Sequence, residues 1–357
     1  MTCETDTAKR TGTRWLRAAR KAGTVTGLAG ILLFFAWQAY SLALYMMYRN
    51  VVLPTTFGNF DRNIAAAEKL PTDGHPLRFA VIGDSRGYGT FEELMAGLKG
   101  SNPDFLVLLG DISRTGKPGA HKFLQAEMAS ELATDFPVFY VIGNHDVGPG
   151  YPLKKWKQTY GRPEFFFRRA GNLFIITYIP GDPYAAAAGL DYLERTLKRE
   201  APSAHRVFVF NHIPPRISTD WSARSLPNQE RLMKLLEEYR VGYFIAGDYH
   251  GYVRQQRGAT TFLVSGGGGA DLSGGNLGFH HDVLFTVSDD SVEERLCALP
   301  KAFGLGDRLE SAAIDGLYSF FGRNPLTLLL LDAVAVAIVF FLIKTLRPWR
   351  GVTRGAR

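Results

Sequence analysis

Cysteine is nearly absent. Cys3 and Cys297 are the only two in 357 residues, too few for a disulfide framework or a cysteine-rich zinc site. No Asn-x-Ser/Thr sequon occurs, which disfavours a glycosylated lumenal protein. A Gly-x-Gly-x-x-Gly phosphate loop is also missing. So is an excess of basic charge in the central region. The net charge is +7, but eleven of the 41 lysines and arginines lie in two terminal tails that hold only two of the 34 acids, Glu4 and Asp6. What remains is close to neutral and slightly acidic, which argues against a nucleic-acid-binding domain. With 46% hydrophobic residues the chain is too apolar to be disordered, and it is long enough to bury a full core.

Charge is also missing from two long apolar runs. "VTGLAGILLFFAWQAYSLALYMMY", residues 25–48, carries none. It exceeds the roughly 20 residues a bilayer crossing needs. It is too long for a signal-peptide core and has no small-x-small cleavage site, so it reads as an anchor. Trp37, Tyr40, Tyr45 and Tyr48 gather toward its end as an interfacial belt would. The second run, "LTLLLLDAVAVAIVFFLI", residues 326–343, is broken by Asp332. A carboxylate at the centre of a span costs about 2.5–3.5 kcal/mol on insertion scales. Because Asp332 lies in the first third of the run, snorkelling to the interface is the favoured expectation, and a polar contact with the first run the other. Both basic tails lie outside the runs. The positive-inside rule then expects cytoplasmic termini and a central region facing the periplasm or another extracytoplasmic space, as in a two-pass bacterial inner-membrane protein.

Between the runs, short apolar stretches alternate with helical patterns. "LRFAVIGDS" (77–85), "DFLVLLGD" (104–111), "PVFYVIGNHD" (137–146), "RVFVFNHIP" (206–214), "VGYFIAGDYH" (241–250) and "TTFLVSGG" (260–267) read as buried strands. "FEELMAGLK", "AHKFLQAEMASELA", "LDYLERTLKRE" and "QERLMKLLEEYR" read as helices, and "EFFFRRAGNLFIITY" as a hairpin. The fold class is α/β with layered sheets. "LESAAIDGLYSFFG" predicts an amphipathic helix near a membrane surface.

Five of the six strand candidates end in polar residues of one kind: Asp84 with Arg86, Asp111, Asn144-His145-Asp146, His212, and Asp248 with His250. Ligands of open α/β sheets bind at the carboxyl ends of strands, so these residues should converge. Carboxylates, imidazoles and one amide brought together are metal-ligand chemistry. A lone histidine after a strand is more often structural. His280 and His281 are assigned to that class, and Ser113 and Thr115 to an ordinary turn.

In order, "GDSR", "GDISRTG", "GNHD", "FNHIPP" and "GDYHGY" resemble the motif set of the calcineurin-like metallophosphoesterase superfamily, which includes the purple acid phosphatases. The resemblance covers roughly residues 77–295, and "GNHD" is its most specific element. It implies a four-layer αββα sandwich, here flanked by two transmembrane helices, with two divalent metals bridged by one carboxylate. It makes Asp111 the bridge, gives Asp84 and His250 to the first metal, and gives Asn144 and His212 to the second. His145, oriented by Asp146, would stabilise charge on the phosphoryl group or protonate the leaving oxygen. The metals would clamp the attacking and leaving oxygens and activate water.

Two positions depart from the family pattern. Arg86 stands where the family has a histidine ligand, and a guanidinium cannot bind a metal. It either grips the substrate phosphate in bidentate fashion or pairs with a nearby acid. Asp248 replaces another histidine. As a ligand it would make the second set rich in hard oxygen and favour Mn²⁺ or Fe over Zn²⁺, with Mg²⁺ also compatible; otherwise it supports the ligands from behind. One or two metals are therefore expected.

The expected organisation is a basic cytoplasmic tail (1–24), a transmembrane helix (25–48), a juxtamembrane linker (49–76), a metallophosphoesterase domain (77–299), an amphipathic juxtamembrane segment (300–325), a second transmembrane helix (326–345) and a basic tail (346–357). The expected activity is hydrolysis of a phosphate ester, with a lipid-linked or envelope ester as a guess from location alone. Besides that substrate the expected partner is the membrane, with no nucleic acid. The alternative is a catalytically degenerate domain that binds a phosphorylated ligand or a membrane partner. The retained polar set speaks against it, because a scaffold has no need of such costly buried groups.

Overall fold

The computed structural model describes residues 4–69, 75–86, 89–130, 132–217, 226–273, 277–299, 304–318, 320 and 324–346. Cys3 and most of the basic tail at 346–357 lie outside the described residues. The chain divides into two compact units, one comprising residues 1–47 with 316–357, the other Tyr48–Asp315.

The larger unit contains two sheets. The strands are β1 (Leu77–Ile82), β2 (Phe105–Leu108), β3 (Val138–Tyr140), β4 (Phe165–Arg169), β5 (Asn172–Ile176), β6 (Val207–Phe210), β7 (Tyr243–Ala246), β8 (Tyr252–Arg257), β9 (Thr260–Ser265), β10 (His280–Val287) and β11 (Val292–Leu299). One sheet has the order β11-β10-β1-β2-β3, the other β4-β5-β6-β7-β9-β8. β1, β2 and β3 run parallel, as do β5, β6, β7 and β9. The six strand candidates form these parallel cores, and the hairpin is β4-β5.

Side chains alternate between the faces of each strand. Phe79 and Val81 of β1 point between the sheets, where they join Phe105, Phe139, Phe167, Phe174, Phe208, Phe210 and Phe285. Phe79 stacks on Phe105 at 5.2 Å and on Phe285 at 4.5 Å, and meets Phe208 edge-on at 5.3 Å. Ala80 and Ile82 face the other way, into α3 (Thr90–Ser101) and α4 (Pro118–Ala129). The far face of the second sheet carries α6 (Pro183–Glu200) and α7 (Gln229–Glu238). The result is the αββα sandwich.

Some elements escape the sequence patterns. They are α2 (Asp61–Lys69), α5 (Leu153–Tyr160) and the edge strands β8 and β11. His280 and His281 open β10. β3 is an edge strand whose outer side is completed by the backbone of Thr56 and Gly58, which bond Val138, and by a side chain: Asn59 Nδ2 donates to Tyr140 O, and Tyr140 N donates to Asn59 Oδ1, both at 2.8 Å. The segment around 305–318 forms α8 (Leu305–Ala313) and a π-turn at Ile314–Tyr318. Leu305 and Leu309 are exposed, while Ala313 and Ile314 are buried.

The smaller unit is a helix pair, α1 (Glu4–Tyr48) and α9 (Pro325–Leu346). Residues Ala18–Tyr48 and Pro325–Lys344 are long and apolar enough to cross a membrane. Gly27 approaches Leu342, and Gln38 Nε2 donates to Asp332 Oδ1 at 2.8 Å, so the helices run antiparallel. Of the two expectations for Asp332, the structure shows the polar contact with the first helix. The carboxylate is held by an amide on the other helix, which answers its hydrogen-bonding demand inside the pair.

Candidate metal centre

Strand ends supply the site, and the backbone there is unusual. Asp84, Asp111 and Asp248 have φ of 56°, 50° and 64°. Left-handed residues other than glycine are uncommon, and aspartate tolerates the conformation better than most. Each follows a glycine at the end of a parallel strand, so the chain turns sharply and sends its carboxylate back over the sheet edge. Such strain clusters where a site needs a fixed geometry.

Asp84, Asp111 and His250 form one group, their ligand-type atoms lying within 4.8 Å of one another. His250 Nδ1 meets the Asp271 carbonyl oxygen. That leaves Nε2 facing Asp84 Oδ1 at 3.5 Å. Asp84 Oδ2 accepts from the Asp248 amide at 3.0 Å, whereas Oδ1 is buried and takes no hydrogen bond. A second group gathers around His212. Its Nδ1 donates to Leu109 O at 2.8 Å. Its Nε2 lies 3.4 Å from Asp111 Oδ1, 3.2 Å from Asn144 Oδ1 and 3.5 Å from Asp248 Oδ1. One nitrogen lone pair and three oxygens facing a common point suit a cation better than a hydrogen-bond network. Fixing the far ring nitrogen on a carbonyl is how metal-binding histidines are oriented.

Electrostatics point the same way. Burial raises the Asp84 pKa, and the Asp111 charge adds to the rise despite His250 and His212. Burial alone would lower the His212 pKa, but Asp111, Asp248 and Asp84 carry it up to about 10. A buried Asp84 carboxyl that favours its proton and an imidazole that favours a charge mark a place short of positive charge. The donor set fits divalent cations, with Asp111 belonging to both groups.

His145 sits beside them. Its amide donates to Asp111 Oδ1 at 2.8 Å, its Nδ1 meets Arg114 O at 3.2 Å, and its Nε2 lies 3.8 Å from Asp111 Oδ2. The expectation that Asp146 orients this ring is corrected. The Asp146 carboxylate is fully buried and accepts from Ser113 N at 2.9 Å and Gly143 N at 2.8 Å. Asp146 thus holds the loop, and the Arg114 carbonyl holds the ring. Burial and the neighbouring Asp111 raise the Asp146 pKa to about 7, against the two amides that lower it.

The sequence motifs missed the support behind this loop. His121, on α4, bonds Asp146 O through Nε2 and the Tyr160 hydroxyl through Nδ1, both at 2.9 Å, and stacks on Tyr151 at 3.5 Å. Ser113 Oγ lies 3.2 Å from Thr115 O and 3.3 Å from His145 O, within the turn assigned to it. The signal available in the sequence was a histidine on the buried face of a helix, which periodicity alone reads as core. Arg86 points into the site, with one guanidinium nitrogen 4.0 Å from Asp111 Oδ2. His280 and His281 bond Gly267 O and Ser265 Oγ, each at 3.0 Å, and serve packing.

Burial holds His121 and His281 neutral, with pKa values lowered to about 3 and about 4. Their folded pKa values lie below the unfolded value of 6.5. The stability they contribute is therefore complete above pH 6.5 and is lost as pH falls toward 4 and 3. Each pH unit over which a ring is kept uncharged is worth about 1.4 kcal/mol. The melting temperature of the solubilised chain should fall steadily below pH 6.5. His121→Gln, which keeps a donor and an acceptor but cannot charge, should give a shallower fall. An identical profile would exclude His121 as a source of acid sensitivity.

Comparison with known proteins agrees with this geometry. Residues 77–252 match the family model described as calcineurin-like phosphoesterase. A probable cyclic nucleotide phosphodiesterase from Synechococcus sp. is 26% identical over 171 residues, 46% of this chain and 65% of that one. Another, from Rhodococcus erythropolis, is 28% identical over 170 residues, 44% of this chain and 56% of that one. The chain thus spans less than two thirds of the length of these curated relatives. The crystal structure of a dimetal phosphatase from Danio rerio superposes with a TM-score of 0.51 at 14% identity, covering 64% of this chain and 98% of that one, a likeness of fold.

Proposed function

Because residues 77–252 match the calcineurin-like phosphoesterase family model, we propose that the chain is a membrane-anchored, divalent-metal-dependent phosphoesterase acting on phosphodiesters. The observation that carries this reading is the convergence of Asp84, Asp111, Asn144, His212, Asp248 and His250 from five strand ends, with both His212 and His250 turning Nε2 inward. Asp84, Asp111 and His250 would hold one cation, and Asp111, Asn144, His212 and Asp248 another. Hard oxygen donors in the second set favour Mn²⁺ or Fe. Bound there, the metal supplies Lewis-acid polarisation of a phosphoryl oxygen and a lowered pKa for the attacking water.

The chain's own groups do the rest. His145 is half-exposed, with its ring fixed by Arg114 O. It is free to protonate the leaving oxygen from Nε2. Arg86 lies on the same side of Asp111 as His145 and binds a phosphoryl oxygen. Arg86→Ala should raise KM about 10–100-fold, the worth of one or two hydrogen bonds to a charged group. Unchanged KM and kcat would leave Arg86 a mere partner of Asp111. The diester class is supported by the names of the two curated relatives. Anchoring is supported by the two apolar helices, with the basic tails cytoplasmic and the larger unit extracytoplasmic. A lipid-linked ester rests only on that location.

The test is metal content per chain with hydrolysis of bis(p-nitrophenyl) phosphate and cyclic AMP, after loading with Mn²⁺ or Fe²⁺. Bound metal and diester hydrolysis support the reading. Metal without hydrolysis of any ester would turn the assignment to the degenerate binding domain.

A further inference from the structure

A cavity of about 270 Å³ opens directly beside Asn144 and His212. Its other walls are apolar: Ile142, Val147, Ile179 and Ile213, with the half-buried Tyr178 among them. Nothing in the metal chemistry described above uses these side chains. They come from three separate stretches, the loop after β3, the segment between β5 and α6, and the residue following His212. A substrate phosphate held at Asn144 and His212 therefore has one ester branch facing this space.

We propose that the cavity is the subsite for that branch, and that it selects an uncharged, planar group of one or two rings. The inference rests on the phosphoesterase reading and names its substrate class. Size is the first argument. An apolar cavity of about 150 Å³ takes a benzene ring, so about 270 Å³ takes a bicyclic group such as a purine and falls short of a diacylglycerol. Wall chemistry is the second. Aliphatic side chains and one tyrosine ring give flat contact area and no fixed cation. The rim is the third. Asp182 is exposed at the cavity edge, and its Oδ1 is fixed by the Ala185 amide at 2.9 Å. A carboxylate there repels a second phosphate or an acidic headgroup and accepts from a hydroxyl or an exocyclic amine.

The experiment uses the full chain in detergent, loaded with Mn²⁺. Cyclic AMP and bis(p-nitrophenyl) phosphate are the ring-bearing probes. Glycerophosphoethanolamine is the ringless diester and dioleoyl phosphatidylglycerol the lipid. Wild type should hydrolyse the ring-bearing esters with kcat/KM at least about tenfold above the other two. Val147→Phe narrows the cavity from a half-buried position. It should lower kcat/KM for the ring-bearing esters about tenfold or more, chiefly through KM, and change that for glycerophosphoethanolamine by less than about threefold. Tyr178→Ala should act in the same direction. Equal losses on all esters, or a preference for the ringless or lipid diester, would overturn the subsite and leave the phosphoesterase reading intact. If no ester is hydrolysed, that reading fails, and calorimetric binding of AMP to wild type and Val147→Phe decides the subsite. Binding weakened about tenfold by the variant upholds it, and equal binding or none overturns it.

Discussion

Replacing Asp111 by asparagine is expected to lower kcat/KM by about a thousandfold, roughly 4 kcal/mol of transition-state stabilisation, and to remove most bound metal. Asp111 lies within reach of both donor groups. It also accepts the His145 amide at 2.8 Å and faces the His145 and Arg86 side chains. Among the described residues no other touches all of these. Asparagine is the better substitution than alanine because φ is 50°, a conformation asparagine accepts and alanine resists. The fold should survive. Without metal the variant loses the repulsion from Asp84 and Asp146 but also the attraction to His212 and Arg86, so its melting temperature should stay close to that of metal-free wild type. Mn²⁺ at a hundredfold excess over Kd should stabilise wild type by about 2.7 kcal/mol and the variant by far less. A variant that keeps its metal and its Mn²⁺-dependent shift would remove Asp111 from the centre.

What could be read in the sequence divides along physical lines. The parallel strands were legible because strands buried on both faces are short continuous apolar runs, and four of them, β1, β2, β3 and β7, lead into a glycine followed by a polar residue. The site was legible for the same reason, since chemistry at strand ends is written next to the strand that carries it. β8 and β11 were not, because an edge strand with one wet face reads "YVRQQR" or "VEERLCAL", a pattern that polar loops share. His121 and Asn59 were not, because their partners lie 25 to 103 positions away. Asp146 shows the opposite error. The family resemblance implied that it orients His145, yet its carboxylate turns inward to Ser113 and Gly143 while the ring turns outward to Arg114. In the helix pair, position along the apolar run argued for a snorkelling Asp332. The structure instead brings Gln38 to it across 294 positions, a pairing no local pattern reveals.

The second large effect belongs to a residue with no chemistry of its own. Gly143 precedes Asn144 and donates its amide to Asp146 Oδ2. A Cβ added there would lie 2.2 Å from both Asp111 N and Asp111 Oδ1. One of those atoms is backbone and the other belongs to the central carboxylate, so neither yields cheaply. Gly143→Ala must push apart the loops after β2 and β3, which carry Asp111, Asn144 and His145. Overpacking of this kind costs about 1–3 kcal/mol of stability, which a core of this size survives. The site does not, since a displacement of about 1 Å costs on the order of a hundredfold in rate. The variant should therefore fold, show a modestly lower melting temperature, and lose at least about a hundredfold in kcat/KM together with metal affinity. Gly97, on α3, has open space around its Cβ position and serves as the control, where alanine should be neutral or stabilising. Wild-type metal affinity and turnover in Gly143→Ala would mean that the two loops adjust independently, and that the contact between Gly143 and Asp111 does not set the geometry of the centre.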